Sequence, residues 1–249
     1  MRRKPKSATS SYFGHASIAT IVLSCYVLVS FGIAPTKGSV PLPSLPAPDC
    51  DANPCVALTF DDGPGPFTPK LLDILRDRNT KATFFLIGGK LPGDFGVVRR
   101  MAADGHEIGN HSVHHFEMTH LSRPSTFMEW YLTSHMLESI IGYRPTIARP
   151  PYGAANNVTH EEMARVGMAS ILWSVDPRDW ADKDSELVCN RVVDDAHPGA
   201  ILLLHDIHPT SVDATPCIID RLTEQGYQFT TVTELLGATE PGKSYRFRK

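Results

Sequence analysis

The chain passes from an apolar run to paired acids in the stretch Val56-Ala57-Leu58-Thr59-Phe60-Asp61-Asp62-Gly63-Pro64. A short apolar run bounded by a turn signal is typical of a buried β-strand. The residues Asp62-Gly63-Pro64 have the composition of a tight turn. Two carboxylates are therefore predicted to lie where the first strand ends.

The same alternation of short apolar runs and longer amphipathic runs continues along the chain. The predicted strands are residues 56–60, 82–87, 106–109, 146–149, 169–173, 200–204 and 228–231. The predicted helices are residues 68–78, 95–104, 122–141, 160–166, 185–196 and 211–225. Such alternation is typical of parallel βα units. We predict an α/β fold: a distorted, incomplete (β/α) barrel with about seven parallel strands.

Composition limits the class of protein. The chain has 249 residues, of which 42% are hydrophobic and 20% charged, as expected for one globular domain with a sizeable core. The formal net charge is -3, and basic residues cluster only at the two ends. This charge balance argues against a nucleic-acid partner.

The N-terminus has the pattern of a targeting segment. Four basic residues, Arg2, Arg3, Lys4 and Lys6, precede an uncharged, mostly apolar run over residues 16–34. This pattern predicts a signal peptide or N-terminal membrane anchor over residues 1–37. Because positive flanks stay in the cytoplasm, the rest of the chain is expected to be exported. It would be secreted, or anchored at the outer face of the cytoplasmic membrane through this segment alone.

Three further segments follow the targeting segment. Residues 38–54 are rich in proline and predict an extended spacer. Residues 55–237 are assigned to the catalytic domain and residues 238–249 to a basic tail.

Four cysteines lie beyond the targeting segment: Cys50, Cys55, Cys189 and Cys217. Disulfides are expected in an exported protein, and four cysteines permit three connectivities. Proximity in sequence favours pairing Cys50 with Cys55, which leaves Cys189 with Cys217. A zinc-thiolate cluster is the rival interpretation, but no CxxC spacing supports it.

Polar residues follow several of the predicted strands. In a βα barrel the carboxyl ends of the strands meet at one rim, so these residues are predicted to converge. They are Asp61 and Asp62 after the first strand, His111 after the third, Arg149 at the end of the fourth, Asp176 and Asp179 after the fifth, and His205 after the sixth.

The paired acids and two histidines form a candidate metal site. A catalytic zinc commonly takes three protein ligands, so one carboxylate with His111 and His115 suffices, and the second carboxylate can act as a base. Asp-Asp-Gly-Pro alone would more often be a simple turn. His114 and His120 lie nearby, so spacing alone does not decide which histidines bind.

Residues 55–236 resemble the polysaccharide deacetylases with the nodulation-factor deacetylase homology domain, also called carbohydrate esterase family four. Five ordered motifs carry the resemblance: Thr59-Phe60-Asp61-Asp62-Gly63-Pro64, His111-Ser112-Val113-His114-His115, Arg149-Pro150-Pro151-Tyr152-Gly153, Asp176-Pro177-Arg178-Asp179-Trp180 and Leu203-Leu204-His205-Asp206. The order of the motifs makes a chance match implausible.

The resemblance implies a metal centre and a base. Asp62, His111 and His115 would be the metal ligands, and His114 would be a surface or groove residue. Asp61 would be the general base, held by Arg149 through a bidentate contact. Zinc is the favoured metal, although the same ligands also suit cobalt or nickel.

The resemblance also implies roles around the acetyl group. The Tyr152 backbone N–H would stabilise the oxyanion. Hydrolysis of an amide needs an acid for the leaving amine, and His205 is the candidate, kept protonated by Asp179. Tyr152 and Trp180 could offer flat surfaces to a sugar ring.

The predicted function is metal-dependent removal of N-acetyl groups from an N-acetylglucosamine-containing polysaccharide, peptidoglycan or chitin-like, with release of acetate. One alternative is an O-acetyl esterase acting on xylan-type polysaccharide. Another is a catalytically idle wall-binding module, against which the complete residue set argues.

Overall fold

A computed structural model describes residues 48–249. Eight β-strands form one sheet in this part of the chain. They are β1 (Cys55–Asp61), β2 (Thr83–Leu86), β3 (Glu107–Asn110), β4 (Ile147–Ala148), β5 (Ala169–Ile171), β6 (Ile201–His205), β7 (Gln228–Thr230) and β8 (Ser244–Tyr245).

The sheet is a distorted, incomplete barrel. Its strand order is β6-β1-β2-β3-β4-β5-β8, with β7 paired to the start of β1, and every strand pair is parallel. A single parallel bridge between Val175 and Leu202 connects the segment after β5 to β6. The predicted fold class is therefore confirmed.

Strand β8 was not predicted from the sequence. This strand lies within the segment assigned to the basic tail, where Ser244 and Tyr245 pair with Ser170 and Ile171 of β5. Two residues are too few to give a periodic apolar pattern. Part of the predicted tail thus belongs to the sheet.

Seven α-helices accompany the strands. They are α1 (Thr68–Asp77), α2 (Phe95–Ala103), α3 (Arg123–Ile141), α4 (Asn157–Val166), α5 (Ser185–Asp195), α6 (Pro209–Glu224) and α7 (Val232–Leu236). The first six are confirmed to within a few residues at each end. The short α7 was missed, although a capping box of Thr231 and Glu234 marks its start.

The buried residues form layers on the two faces of the sheet. All seven residues of β1 are buried, as expected for a parallel strand covered on both faces. Phe60 and Phe84 belong to the cluster between sheet and helices, whereas Phe85 and Ile201 belong to a second, smaller cluster. Adjacent residues Phe84 and Phe85 therefore point to opposite faces.

Both favoured disulfides are present: Cys50 is bonded to Cys55, and Cys189 in α5 is bonded to Cys217 in α6. The predicted targeting segment lies outside the described residues, as does most of the proline-rich spacer. Among residues 48–249, no helix has both the length and the hydropathy needed to cross a bilayer.

Candidate active site

The structure brings the predicted site residues to the carboxyl edge of the barrel. Asp61 is the last residue of β1 and His205 the last of β6, and the two are partners in the register of these neighbouring strands. His111 follows β3 directly, and Arg149 follows β4 directly. Residues far apart in sequence thus meet because parallel strands end at one rim.

Three of these residues form a group that can hold a metal ion. Asp62, His111 and His115 each offer a ligand atom, and these atoms lie within 4.8 Å of one another. Asp62 Oδ1 is 3.3 Å from Nε2 of His111 and 3.3 Å from Nε2 of His115. No other group of three potential ligands with this spacing occurs in residues 48–249.

The hydrogen bonding of His111 fits a metal ligand. His111 Nδ1 lies 2.7 Å from the backbone oxygen of Arg149, which can only accept, so Nδ1 carries the hydrogen. In the neutral form of the ring the lone pair then lies on Nε2, 3.3 Å from Asp62 Oδ1, an atom that is buried and has no hydrogen-bond partner in the described part of the chain. Two electron-pair donors facing each other at this distance are compatible with a cation between them.

The pKa values of the group also favour metal binding. Burial raises the pKa of the Asp62 carboxyl, but the adjacent imidazoles of His111 and His115 outweigh this effect, and the pKa lies below its ordinary value. Burial, reinforced by His111, lowers the pKa of His115. A charged carboxylate and a neutral imidazole are the forms that bind a metal.

The backbone around the site is strained. Asp62, Ser112, His115 and Tyr152 have φ angles of 72°, 66°, 59° and 60°. Residues other than glycine adopt this left-handed conformation at a cost, which is lower for Asp. Such conformations concentrate at functional sites, where surrounding contacts maintain them.

Arg149 holds Asp61 from inside the barrel. Its guanidinium is fully buried and donates to Asp61 Oδ1 (2.7 Å) and to Thr59 Oγ1 (2.8 Å). It also donates to the backbone oxygens of Ile171 and Leu172 at 3.2 Å. The expected bidentate contact is therefore wrong: only Nη1 binds the carboxylate, because Nε and Nη2 donate to the backbone at the end of β5 and directly after it.

The second oxygen of Asp61 faces the candidate metal group. Asp61 Oδ2 lies 3.8 Å from His111 Nε2, while Oδ1 is held by Arg149. The carboxylate is nearly fully buried. One oxygen is thus anchored, and the other can take a proton at the site.

His205 is paired with a buried acid. Asp179 Oδ1 lies 2.9 Å from His205 Nδ1, and Oδ2 accepts from the His205 backbone N–H at 2.8 Å and from the Ser211 hydroxyl. Burial lowers the pKa of His205, but the hydrogen bond and charge of Asp179 outweigh it, together with the charges of Asp61 and Asp62. The pKa is raised to about 9, in the direction expected from the sequence.

Two exposed aromatic rings lie at the rim. The Tyr152 ring is 68% exposed, and its centroid is 4.7 Å from that of His115. Trp180 directly follows Asp179, is 54% exposed, and has the Arg178 guanidinium 5.7 Å from its ring centroid. Both rings are available to a ligand that approaches this edge.

Two further polar residues at the site were given no role from the sequence. Asn110, the last residue of β3, accepts from the Ser112 N–H and donates to the Trp130 oxygen and the Ser134 hydroxyl. Asp206 is fully buried, accepts from the Thr68 hydroxyl, and burial raises its pKa to about 7. The available signal for Asn110 was its position at the end of a strand, and that for Asp206 was its position in the fifth motif, directly after His205.

The comparisons with known proteins agree with this geometry. The family model described as polysaccharide deacetylase matches residues 49–171. A solved structure of a T48 deacetylase with substrate superposes with a TM-score of 0.77 at 39% identity, over 80% of this chain and 100% of that chain. The chain belongs to the polysaccharide deacetylase family. The resemblance seen in the five motifs is thereby confirmed.

Two bacterial relatives of this chain are named as peptidoglycan deacetylases. The chain is 42% identical over 181 residues to the peptidoglycan-N-acetylmuramic acid deacetylase PdaC of Bacillus subtilis, covering 72% of this chain and 38% of that protein. It is 39% identical over 209 residues to the peptidoglycan-N-acetylglucosamine deacetylase PgdA of Listeria monocytogenes, covering 83% of this chain and 44% of that protein. The chain thus spans less than half the length of these two relatives.

Proposed function

We propose that this protein is a metal-dependent deacetylase that removes N-acetyl groups from a polysaccharide containing N-acetylglucosamine and releases acetate. One observation carries the proposal: Asp61 and His205 are register partners on β1 and β6, directly beside the group Asp62, His111 and His115. A base and an acid are thus available beside one candidate metal position.

The metal would be zinc, held by Asp62, His111 and His115. A carboxylate with two imidazoles suits zinc and would also accept cobalt or nickel. When bound, such an ion acidifies water and polarises the acetyl carbonyl.

Asp61 would act as the general base. Its Oδ2 takes a proton from water while the water oxygen bonds to the acetyl carbon. Arg149 orients the carboxylate through Oδ1. The Tyr152 backbone N–H would donate to the oxyanion that develops on the acetyl oxygen.

His205 would act as the general acid. Because Nδ1 is hydrogen-bonded to Asp179, Nε2 is the nitrogen that delivers the proton to the sugar nitrogen as the carbon–nitrogen bond breaks. The products are acetate and a free amine on the sugar. Because the raised pKa keeps the imidazole protonated near neutral pH, the acid is ready before substrate binds.

Peptidoglycan is the substrate that we favour. The names of the two relatives specify peptidoglycan, one with N-acetylmuramic acid and the other with N-acetylglucosamine. The exposed rings of Tyr152 and Trp180 would pack against the sugar. A chitin-like polysaccharide offers the same N-acetyl group and is the second choice.

We propose an exported location, secreted or anchored at the outer face of the cytoplasmic membrane. The two disulfides fit an oxidising compartment. Residues 1–37 would direct export, residues 38–54 would form the spacer, and residues 55–237 would carry the activity. Nothing in the charge balance suggests nucleic acid as a partner.

The amide activity is favoured over esterase activity by His205 and Asp179. An amine leaves poorly unless it is protonated, so a buried acid pair is of most use with an amide. A wall-binding module without activity would have no need for Asp61 and His205 in these positions.

The test is acetate release by the full-length protein from peptidoglycan, N-acetylglucosamine oligomers and acetylated xylan. We expect release from the amide substrates, loss on chelation, recovery with zinc, and loss in Asp61→Asn. Asp213→Asn, a change at an exposed carboxylate paired with Lys70, is the matched control. Release from xylan alone would support the esterase, and no release by zinc-loaded protein would contradict the proposal.

A further inference from the structure

The loop between the two ligand histidines, His111 and His115, is attached to α3 by one carboxylate. Glu129 Oε2 accepts from the backbone N–H of Val113 and of His114, both at 2.9 Å. Its Oε1 lies 2.7 Å from His114 Nδ1. Glu129 is only 7% exposed, so its carboxylate is largely buried behind the loop that it holds.

The residues that Glu129 holds lie between two strained positions. Ser112 and His115 have left-handed φ angles of 66° and 59° and flank Val113 and His114. Strained conformations persist when surrounding contacts maintain them. The carboxylate of Glu129 therefore acts at the point where the loop most needs support.

Other contacts of the loop do not replace Glu129. The N–H of Ser112 donates to Asn110 Oδ1, and the oxygens of Ser112 and Val113 accept from Gly88 and Gly89. Within the described residues, Glu129 is the acceptor for the N–H groups of Val113 and His114. Without it, two backbone donors of the loop would lose their acceptor.

We propose that Glu129 is a positioning residue for the metal ligands. It keeps His111 and His115 at the separation at which both can share one cation with Asp62. His114 lies at the surface, as expected, and its side chain contributes to this support through Nδ1. The inference rests on the proposed function, because it presupposes that these three residues bind a metal.

The experiment measures the Kd for zinc of the metal-free full-length protein by competition with a chromophoric chelator. We expect Glu129→Ala to bind zinc about 10-fold to 100-fold more weakly, the usual effect of removing a partner that orients metal ligands. Glu129→Gln should stay within about threefold of wild type, because its amide oxygen can still accept both backbone N–H groups. Glu138→Ala is the matched control on α3, since Glu138 pairs only with the exposed Arg144.

Thermal unfolding of the metal-free variants separates positioning from folding. A folded Glu129→Ala protein with wild-type zinc affinity would overturn the inference. If Glu129→Ala does not fold, the test uses His114→Ala, which removes the side chain that contacts Glu129 Oε1. We expect His114→Ala to bind zinc about threefold to tenfold more weakly than His120→Ala does. Equal zinc affinities of these two variants would overturn the inference. Absence of zinc binding by the wild type would instead contradict the proposed function itself.

Discussion

Two histidines at the same barrel edge, His115 and His205, have pKa values shifted in opposite directions. His111 and His115, the metal-side histidines, share one carboxylate, and burial with the neighbouring imidazole lowers the pKa of His115. His205, the acid-side histidine, is also buried, yet Asp179 raises its pKa to about 9. Burial acts in the same direction on both, so the difference comes from the charged partner.

The geometry of the carboxylates explains this difference. Asp62 Oδ1 lies 3.3 Å from Nε2 of both His111 and His115 and has no hydrogen-bond partner in the described residues. Asp179 Oδ1 instead lies 2.9 Å from Nδ1 of a single imidazole, that of His205. One barrel edge can therefore combine a neutral imidazole at His115 with a protonated imidazole at His205, and variants can test this contrast.

The largest effect is expected from His111→Ala. We expect loss of stoichiometric zinc and a fall in kcat/KM of at least about a thousandfold, because the metal supplies several kcal/mol of transition-state stabilisation. Metal analysis and acetate release measure both quantities. His120→Ala, an exposed histidine paired with Glu117, should keep zinc and activity.

The variant His205→Ala should separate general-acid catalysis from metal binding. We expect kcat to fall about 10²-fold to 10⁴-fold while the zinc content stays at the wild-type value. The measurement is the same pair of assays on one preparation. Loss of zinc in this variant would show that His205 belongs to the metal side and would remove the contrast.

Asp179→Asn should move the alkaline limit of activity. The protonated imidazole of His205 is present below its pKa and is lost as pH rises through it, so activity falls on the alkaline side. Without the Asp179 charge we expect the alkaline limb of kcat to shift to lower pH by at least about one unit. Asp176→Asn, an exposed acid in the same loop bonded to the Arg178 N–H, should leave the limb in place.

The smallest effect is expected from Trp180→Ala. Loss of a stacking surface should raise KM about twofold to tenfold with little change in kcat, because the ring contacts the sugar equally in the ground and transition states. Steady-state kinetics on N-acetylglucosamine oligomers measure this. Phe247→Ala, another exposed aromatic, is the control. A fall in kcat with an unchanged KM would instead indicate that Trp180 acts in the chemical step.

Much of the fold could be predicted because strand and helix periods are local properties. Seven strands and six helices followed from apolar patterns, and the cysteine pairing followed from proximity in sequence. The short β8 and α7 were not predicted, because segments of two and five residues are too short to show an apolar period.

The supports of the site were harder to predict than its functional residues. Glu129 follows Met128 and precedes Trp130 in a helix, and nothing local shows that its carboxylate points to the β3 loop. The bidentate contact expected between Arg149 and Asp61 was wrong for a related reason. The barrel interior supplies Thr59 and two backbone oxygens that compete for the guanidinium.

Residue type and spacing were enough to predict the order of most strands and helices, the family and the residues with the chemistry for the site. The fold was needed to learn which oxygen of Asp61 is anchored, which nitrogen of His111 faces Asp62, and how far Asp179 raises the pKa of His205. Hydrogen-bond direction and burial depend on atoms brought together from distant parts of the chain, and no local pattern records them.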